Sequence, residues 1–333
     1  MIRSLCFVCV LPVLAALTAQ AGKIVSLLNV SYDPTREFYQ EIDAAFVKSW
    51  KEKTGDDLTI HVSNGGSGKQ ARAVIEGDEA DVVTLAVASD IDALHDRAGL
   101  LPANWQQRLP SNSCPYSSTI VFLERRGGRV HVHDWDDLAR PGVSVIVPNP
   151  KTSGGARWIY LAAYGWALQK NHGDNQAARR FVEQLYRNVP VMDEGARGAA
   201  TTFVQRGIGD VFIGWENDAL LVVNGIGRGH FDIEYPPESI RTEPPVAVVD
   251  KYADEHGTRV VAEAYLQFLY TEPAQEIGAR NFYRPQLQAA FEKYKTQFPQ
   301  IQLFTITEVA GNWKEVQAKH FADHGVFDQI YKP

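Results

Sequence analysis

From Lys23 onward the chain alternates strand-forming with helix-forming stretches, and this alternation restricts the possible folds more than any other feature of the sequence. Short apolar runs, each followed by a segment of helical spacing, build largely parallel sheets covered by helices. Lys23 to Val30 reads as a strand, and Pro34 to Trp50 as a helix with Phe38, Ile42, Ala45, Phe46 and Trp50 on one face. Leu58 to Val62, Ser67 to Glu76 and Asp81 to Ala86 extend this to βαβαβ. A second α/β unit follows Pro115: extended runs at Ser118 to Arg125 and Val143 to Val147, helices at Gly155 to Lys170, Gln176 to Tyr186 and Arg197 to Gln205, and a strand at Asp210 to Trp215. Beyond the proline-rich stretch from Tyr235 to Pro245 come the strand Val246 to Val249 and further helices.

The length of 333 residues exceeds what one core usually serves, so two lobes are expected. Proline-marked crossings at Cys114-Pro115 and Pro244-Pro245 suggest that the chain leaves the first lobe and returns through a hinge. The expected division is 22–115 plus 246–333 for lobe I and 116–245 for lobe II. With 33 basic against 40 acidic residues the chain is mildly acidic, which argues against nucleic acid or an anionic membrane as its main partner.

Arg3, the charge-free run from Ser4 to Ala19 and the small residues of Ala19-Gln20-Ala21 have the form of a cleaved export signal over residues 1–21. Removing it takes Cys6 and Cys9 and leaves Cys114 without a disulfide partner. The expected product is a soluble exported monomer with no cofactor, no metal site and no membrane insertion.

Several helix starts in this chain suit an anion. In Asn149-Pro150-Lys151-Thr152-Ser153-Gly154-Gly155-Ala156-Arg157 a turn runs directly into a helix; its glycines allow close approach, and the first N–H groups of the helix point at whatever sits there. Ser31-Tyr32-Asp33-Pro34-Thr35-Arg36, Asn64-Gly65-Gly66-Ser67-Gly68-Lys69 and Asp193-Glu194-Gly195-Ala196-Arg197-Gly198 have the same character. Each follows a strand, and in open α/β sheets strand ends face the ligand crevice. Trp215, at the end of its strand, is either a core residue or an indole donor to the same crevice. A phosphate-loop reading of Gly65 to Lys69 fails twice, because Ser63 stands where the first glycine belongs and Gln70 follows the lysine. Gly225-Ile226-Gly227-Arg228-Gly229 has no helix-forming segment after it and reads as a loop rather than a dinucleotide site.

These segments, together with Leu27 to Arg36, Gly207-Ile208-Gly209-Asp210-Val211 and Val326-Phe327-Asp328-Gln329-Ile330, resemble the periplasmic sulfate-binding proteins that feed ABC-type sulfate permeases. The likeness spans nearly the whole mature chain. One departure is Val62-Ser63, where the family pattern that starts at Lys51 usually ends in Gln-Ser. The resemblance implies a two-lobed periplasmic-binding-protein architecture, type II-like, closing over one dehydrated sulfate ion. It also implies a ligand set: the hydroxyl of Ser67, the indole of Trp215, and backbone N–H groups near Asp33, Ser153, Gly154, Gly155 and Ala196. The partners implied are the sulfate ion and the membrane permease subunits.

Sulfate carries no proton at neutral pH and suits a site made only of donors, whereas phosphate keeps a proton and wants an acceptor. On that logic the Asp33 carboxylate is expected to cap its own helix and present only its N–H. Arg157 and Arg197 are either counter-ions or residues that orient loops and pair with acidic neighbours. Thiosulfate and molybdate remain alternatives, and a sulfate- or phosphate-ester hydrolase is the alternative of another class. The hydrolase lacks any evident nucleophile, base or metal cluster beside the helix starts.

Overall fold

The computed structural model describes residues 22–331. The expected export segment, 1–21, lies outside the described residues. Within them, no helix is long and apolar enough to cross a membrane. Along the chain the strands are β1 (Ile24–Tyr32), β2 (Asp57–Gly65), β3 (Val82–Thr84), β4 (Tyr116–Arg125), β5 (Val145–Pro148), β6 (Met192–Asp193), β7 (Val211–Trp215), β8 (Phe231–Glu234), β9 (Glu238–Thr242), β10 (Val246–Val248), β11 (Arg284–Pro285) and β12 (Gln302–Phe304).

They form two sheets, with strand orders β10-β3-β1-β2 and β12-β9-β4-β7-β5-β6. In the first sheet β1 pairs in parallel with β2 and β3, and β10 adds an antiparallel edge. The helix Arg36–Thr54 covers it, burying Phe38, Tyr39, Ile42 and Phe46 and ending at Gly55, which takes the left-handed φ of 79° that glycine adopts without strain. In the second sheet β5 runs parallel to β6 and β7, but β4 is antiparallel to β7, β8, β9 and β11. The largely parallel pattern gives way there for a topological reason. β4 leaves one crossing and β9 leads back into the other, so side by side they must run in opposite directions.

The two crossings touch, with the Cys114 thiol donating to the Glu243 carbonyl at 3.4 Å, and Cys114 is buried. The last part of the chain does not stay with the first sheet: β11 pairs with β4 and β12 with β9. The aromatic residues that follow pack on the helix Gly154–Lys170, Trp313 meeting Trp158 edge-on at 4.7 Å and Phe321 meeting Tyr160 at 5.1 Å. That helix is buried on every side from Gly154 to Ala167, as its all-round apolar sequence requires. Val30 and Val83 of the first sheet share one core with Ile120 and Trp215 of the second and with Trp158 of the helix Gly154–Lys170, so the two lobes stand closed on each other.

Candidate functional site

The C-terminal ends of the parallel strands converge on the crevice between the sheets. Tyr32 and Gly65, the last residues of β1 and β2, are register partners, and each leads into a helix start. β5 and β6 likewise end side by side at Pro148 and Asp193, before the helices Gly154–Lys170 and Ala196–Val204. The helix Ser67–Glu76 opens from Gly66, whose backbone is extended, and Ser67 is its first residue.

Contacts at the glycines show how closely these starts approach. A Cβ at Gly154 would stand 2.8 Å from the Ala86 Cβ and 2.9 Å from the Ser67 Cβ. A Cβ at Gly155 would lie 3.3 Å from Trp215 Nε1 and 3.6 Å from Ser153 Oγ, and one at Gly195 would lie 2.5 Å from Asp33 Oδ2. The Tyr32 and Trp215 rings are 5.8 Å apart. Asp33, Ser67, Ser153, Gly154, Gly155, Ala196 and Trp215 are thereby gathered into one buried locus. Ser67, Ser153 and Trp215 expose 3% of their surface or less.

Hydrogen bonding decides which atoms remain available. Among the described residues, the backbone N–H groups of Asp33, Ser67, Gly154, Gly155 and Ala196 have no protein acceptor. Each is the first N–H, or one of the first, of a helical segment, where no intrahelical partner exists. Buried donors of this kind cost free energy unless something accepts from them.

Two serine roles differ from those expected. Ser67 Oγ donates to Asp90 Oδ2 at 2.6 Å and accepts from the Ala86 N–H, so its one hydrogen is taken and only its N–H is free. At Ser153 the N–H donates to the Asn149 carbonyl at 2.8 Å, while Oγ accepts from the Ala156 N–H at 3.2 Å and keeps its own hydrogen to give. The hydroxyl hydrogen left free is therefore that of Ser153, and at Ser67 the free hydrogen is that of the N–H, whereas the expectation had the Ser67 hydroxyl and the Ser153 N–H. Trp215 Nε1 reaches the Gly155 carbonyl at 3.3 Å, a long bond and easily redirected.

Asp33 does not cap its helix. It is the first residue of a short 3-10 turn, Asp33–Thr35, with no side-chain cap, and its carboxylate lies 3.7 Å from Arg36 Nη2. Burial pushes its carboxyl above the usual range, against the opposing pull of Arg36 and Arg197.

The arginines are engaged elsewhere. Arg157 Nη1 pairs with Asp90 Oδ1 at 2.6 Å, both side chains buried, and its Nε donates to the Pro150 carbonyl. Arg197 pairs with Glu37 at 3.2 Å in solvent. Each Asp90 oxygen thus has a partner within the protein, Arg157 for one and Ser67 for the other. Asp90 went unnoticed in the sequence. It reads there as an ordinary first-turn carboxylate of the helix Ala88–Ala98, and no local signal tells that Arg157 from the other lobe reaches it.

A family model described as bacterial extracellular solute-binding protein matches residues 28–284. The sulfate-binding protein of Escherichia coli (strain K12) is 56% identical over 96% of this chain and 97% of its own length. A thiosulfate-binding protein of Pseudomonas aeruginosa is 49% identical over 96% of both chains. Among solved structures, the sulfate-binding protein SubI from Mycobacterium tuberculosis superposes with a TM-score of 0.80 at 32% identity, covering 88% of this chain and 98% of that one.

Proposed function

The chain belongs to the family of bacterial extracellular solute-binding proteins, and from that membership we infer that it captures one fully ionised sulfate ion between its lobes and delivers it to an ABC-type permease. The observation that carries this reading is the set of N–H donors without protein acceptors, converging from both lobes beside an Asp90 carboxylate that is already paired with Ser67 and Arg157. The proposed ligand set is the backbone N–H of Asp33, Ser67, Gly154, Gly155 and Ala196, the hydroxyl of Ser153 and the indole N–H of Trp215.

The helices that start at Ser67, Gly154 and Ala196 direct the positive ends of their dipoles at the ion, and the helix after Asp33 adds a fourth. In a closed, water-free crevice these dipoles act at low dielectric and supply the neutralisation that no side-chain cation provides. Lobe closure is favoured because the ion prefers the closed form, where all donors meet it at once.

The lobes are taken as the two sheets with their helices, hinged at the paired crossings beside Cys114 and Glu243, with the segment after Arg284 riding on the second sheet. We place the protein in the periplasm, exported by residues 1–21, acting as a monomer without catalytic activity. Calorimetric titration with sulfate, phosphate, thiosulfate and molybdate tests the assignment. Sulfate is expected to bind tightly and phosphate weakly at neutral pH; tighter phosphate binding would sink the donor-only argument. The likeness to a thiosulfate-binding protein makes thiosulfate the one competitor expected to approach sulfate.

A further inference from the structure

One short segment outside the ligand set reaches the donor-bearing stretches of both lobes. Tyr283 and Arg284 lie at a third crossing, where the chain leaves the helix Glu272–Arg280, packed in the core of the first sheet, and pairs Arg284 with Ser117 of β4. Phe282, just before them, takes a left-handed φ of 64°. A bulky side chain rarely adopts that conformation, so the contacts around this corner hold it against local preference.

Tyr283 is buried, with its ring on Tyr116 at 4.7 Å and on Phe38 at 5.2 Å. Its hydroxyl donates to the Pro34 carbonyl at 3.0 Å and accepts from Asn217 Nδ2 at 3.2 Å. Pro34 follows Asp33 in the first lobe, and Asn217 stands two residues after Trp215 in the second. Arg284 takes the residue between Trp215 and Asn217 in a fork: Nε donates to Glu216 Oε2 at 2.6 Å and Nη2 to Oε1 at 2.7 Å. Glu216 is fully buried and joined directly to Trp215. The Trp215 indole itself has only a long bond to the Gly155 carbonyl, so its aim depends on the backbone that carries it.

We propose that Tyr283 and Arg284 are positioning residues for the anion site: Arg284 aims the Trp215 indole by clamping Glu216, and Tyr283 holds the Asp33 and Trp215 segments in register with each other. The inference rests on the sulfate-binding reading above. Arginine suits this task and lysine does not, because two parallel bonds fix a direction and a point charge leaves it free. The tyrosine hydroxyl serves because it has both a hydrogen for Pro34 and a lone pair for Asn217.

Calorimetric titration with sulfate tests this on the full mature protein, on Tyr283→Phe, Arg284→Lys and Trp215→Phe, and on the two double variants that combine Trp215→Phe with each of the others. Tyr283→Phe keeps the ring and Arg284→Lys keeps the charge. Each is expected to weaken sulfate binding by about tenfold, the worth of one hydrogen bond to the ion. A role confined to stability would lower the urea midpoint and leave the dissociation constant per folded site unchanged. In the Trp215→Phe background Arg284→Lys should cost less than about twofold, since the indole it aims is gone, whereas Tyr283→Phe should keep part of its effect through Asp33. An unchanged dissociation constant in either single variant, or a loss for Arg284→Lys that persists in full without the indole, overturns the proposal. Should Arg284→Lys fail to fold, the dissociation constant of Tyr283→Phe decides it. Absence of sulfate binding by the unaltered protein would instead overturn the sulfate-binding reading itself.

Discussion

At Ser67 and Ser153 the same side chain serves opposite purposes, and the difference is a matter of counting hydrogens. A hydroxyl has one to give. Ser67 gives its hydrogen to Asp90, and its Oγ also receives the Ala86 N–H, so it holds two segments of the first lobe together. Ser153 only receives, from Ala156, and its hydrogen remains for a ligand. Ser153→Ala should therefore weaken sulfate binding by about 1.5–3 kcal/mol, the usual worth of a hydrogen bond to a charged group, with little effect on stability. Ser67→Ala keeps its N–H donor but leaves Asp90 Oδ2 and the Ala86 N–H without partners, so the loss should fall on stability, by about 1–3 kcal/mol. Titration calorimetry and urea unfolding of the two variants separate these effects. Equal losses of affinity would mean that both hydroxyls reach the ion.

The helix Gly154–Lys170 shows how an element rather than a residue sets the closing distance. Its first residue meets the first lobe at Ala86 and Ser67, and three residues later Arg157 ties it to Asp90. A Cβ at Gly154 has no room, and the atoms it would strike, the Cβ atoms of Ala86 and Ser67, move only with their backbones. Gly154→Ala should hold the lobes slightly apart and weaken sulfate binding by about 1–3 kcal/mol, the usual cost of overpacking. The ligand-free protein should be as stable as before, since alanine favours a helix. Calorimetry together with small-angle scattering, with and without sulfate, checks both halves of this; full closure at normal affinity would refute it. The helix starts were legible in the sequence because capping and glycine chemistry are local: β1, β2, β5 and β6 do lead into helices at Asp33, Ser67, Gly154 and Ala196. The division of labour between Ser67 and Ser153 was not legible, because it depends on Asp90, which only the tertiary fold of the first lobe brings against Ser67. Nor was the return of the chain to the second sheet, since β11 and β12 are two and three residues long and carry no periodicity to read.

For the molecule as a whole, that return fastens the C-terminal segment onto the helix whose first turn belongs to the site, and one histidine makes the fastening sensitive to acid. His320 is fully buried, its Nδ1 lies 2.9 Å from the Tyr160 hydroxyl, and its Nε2 has no partner. Burial, with Lys319 nearby, pushes its pKa down to about 4. The unfolded chain binds a proton there near pH 6.5, so the folded state holds its full advantage above that pH and loses it as pH falls through 4. Asp43 opposes this: burial pushes its carboxyl up to about 7 despite the hydrogen bond from Tyr265, and it favours the folded state as pH falls from 7. Asp218, pushed up to about 7 by burial and the nearby Glu37 and Asp33, acts in the same direction. The three partly cancel, so the acid profile of the unaltered protein does not by itself reveal the histidine. A difference measurement does, because the carboxyl contributions are common to both proteins. His320→Phe keeps the ring among Tyr160, Tyr164 and Phe321 but cannot take a proton. Relative to the unaltered protein, its unfolding free energy in urea should rise by about 2 kcal/mol between pH 7.5 and pH 5, whatever constant cost follows from the lost Tyr160 hydrogen bond. A difference that stays flat across that interval would mean that His320 finds a way to solvent and titrates as it does in the unfolded chain.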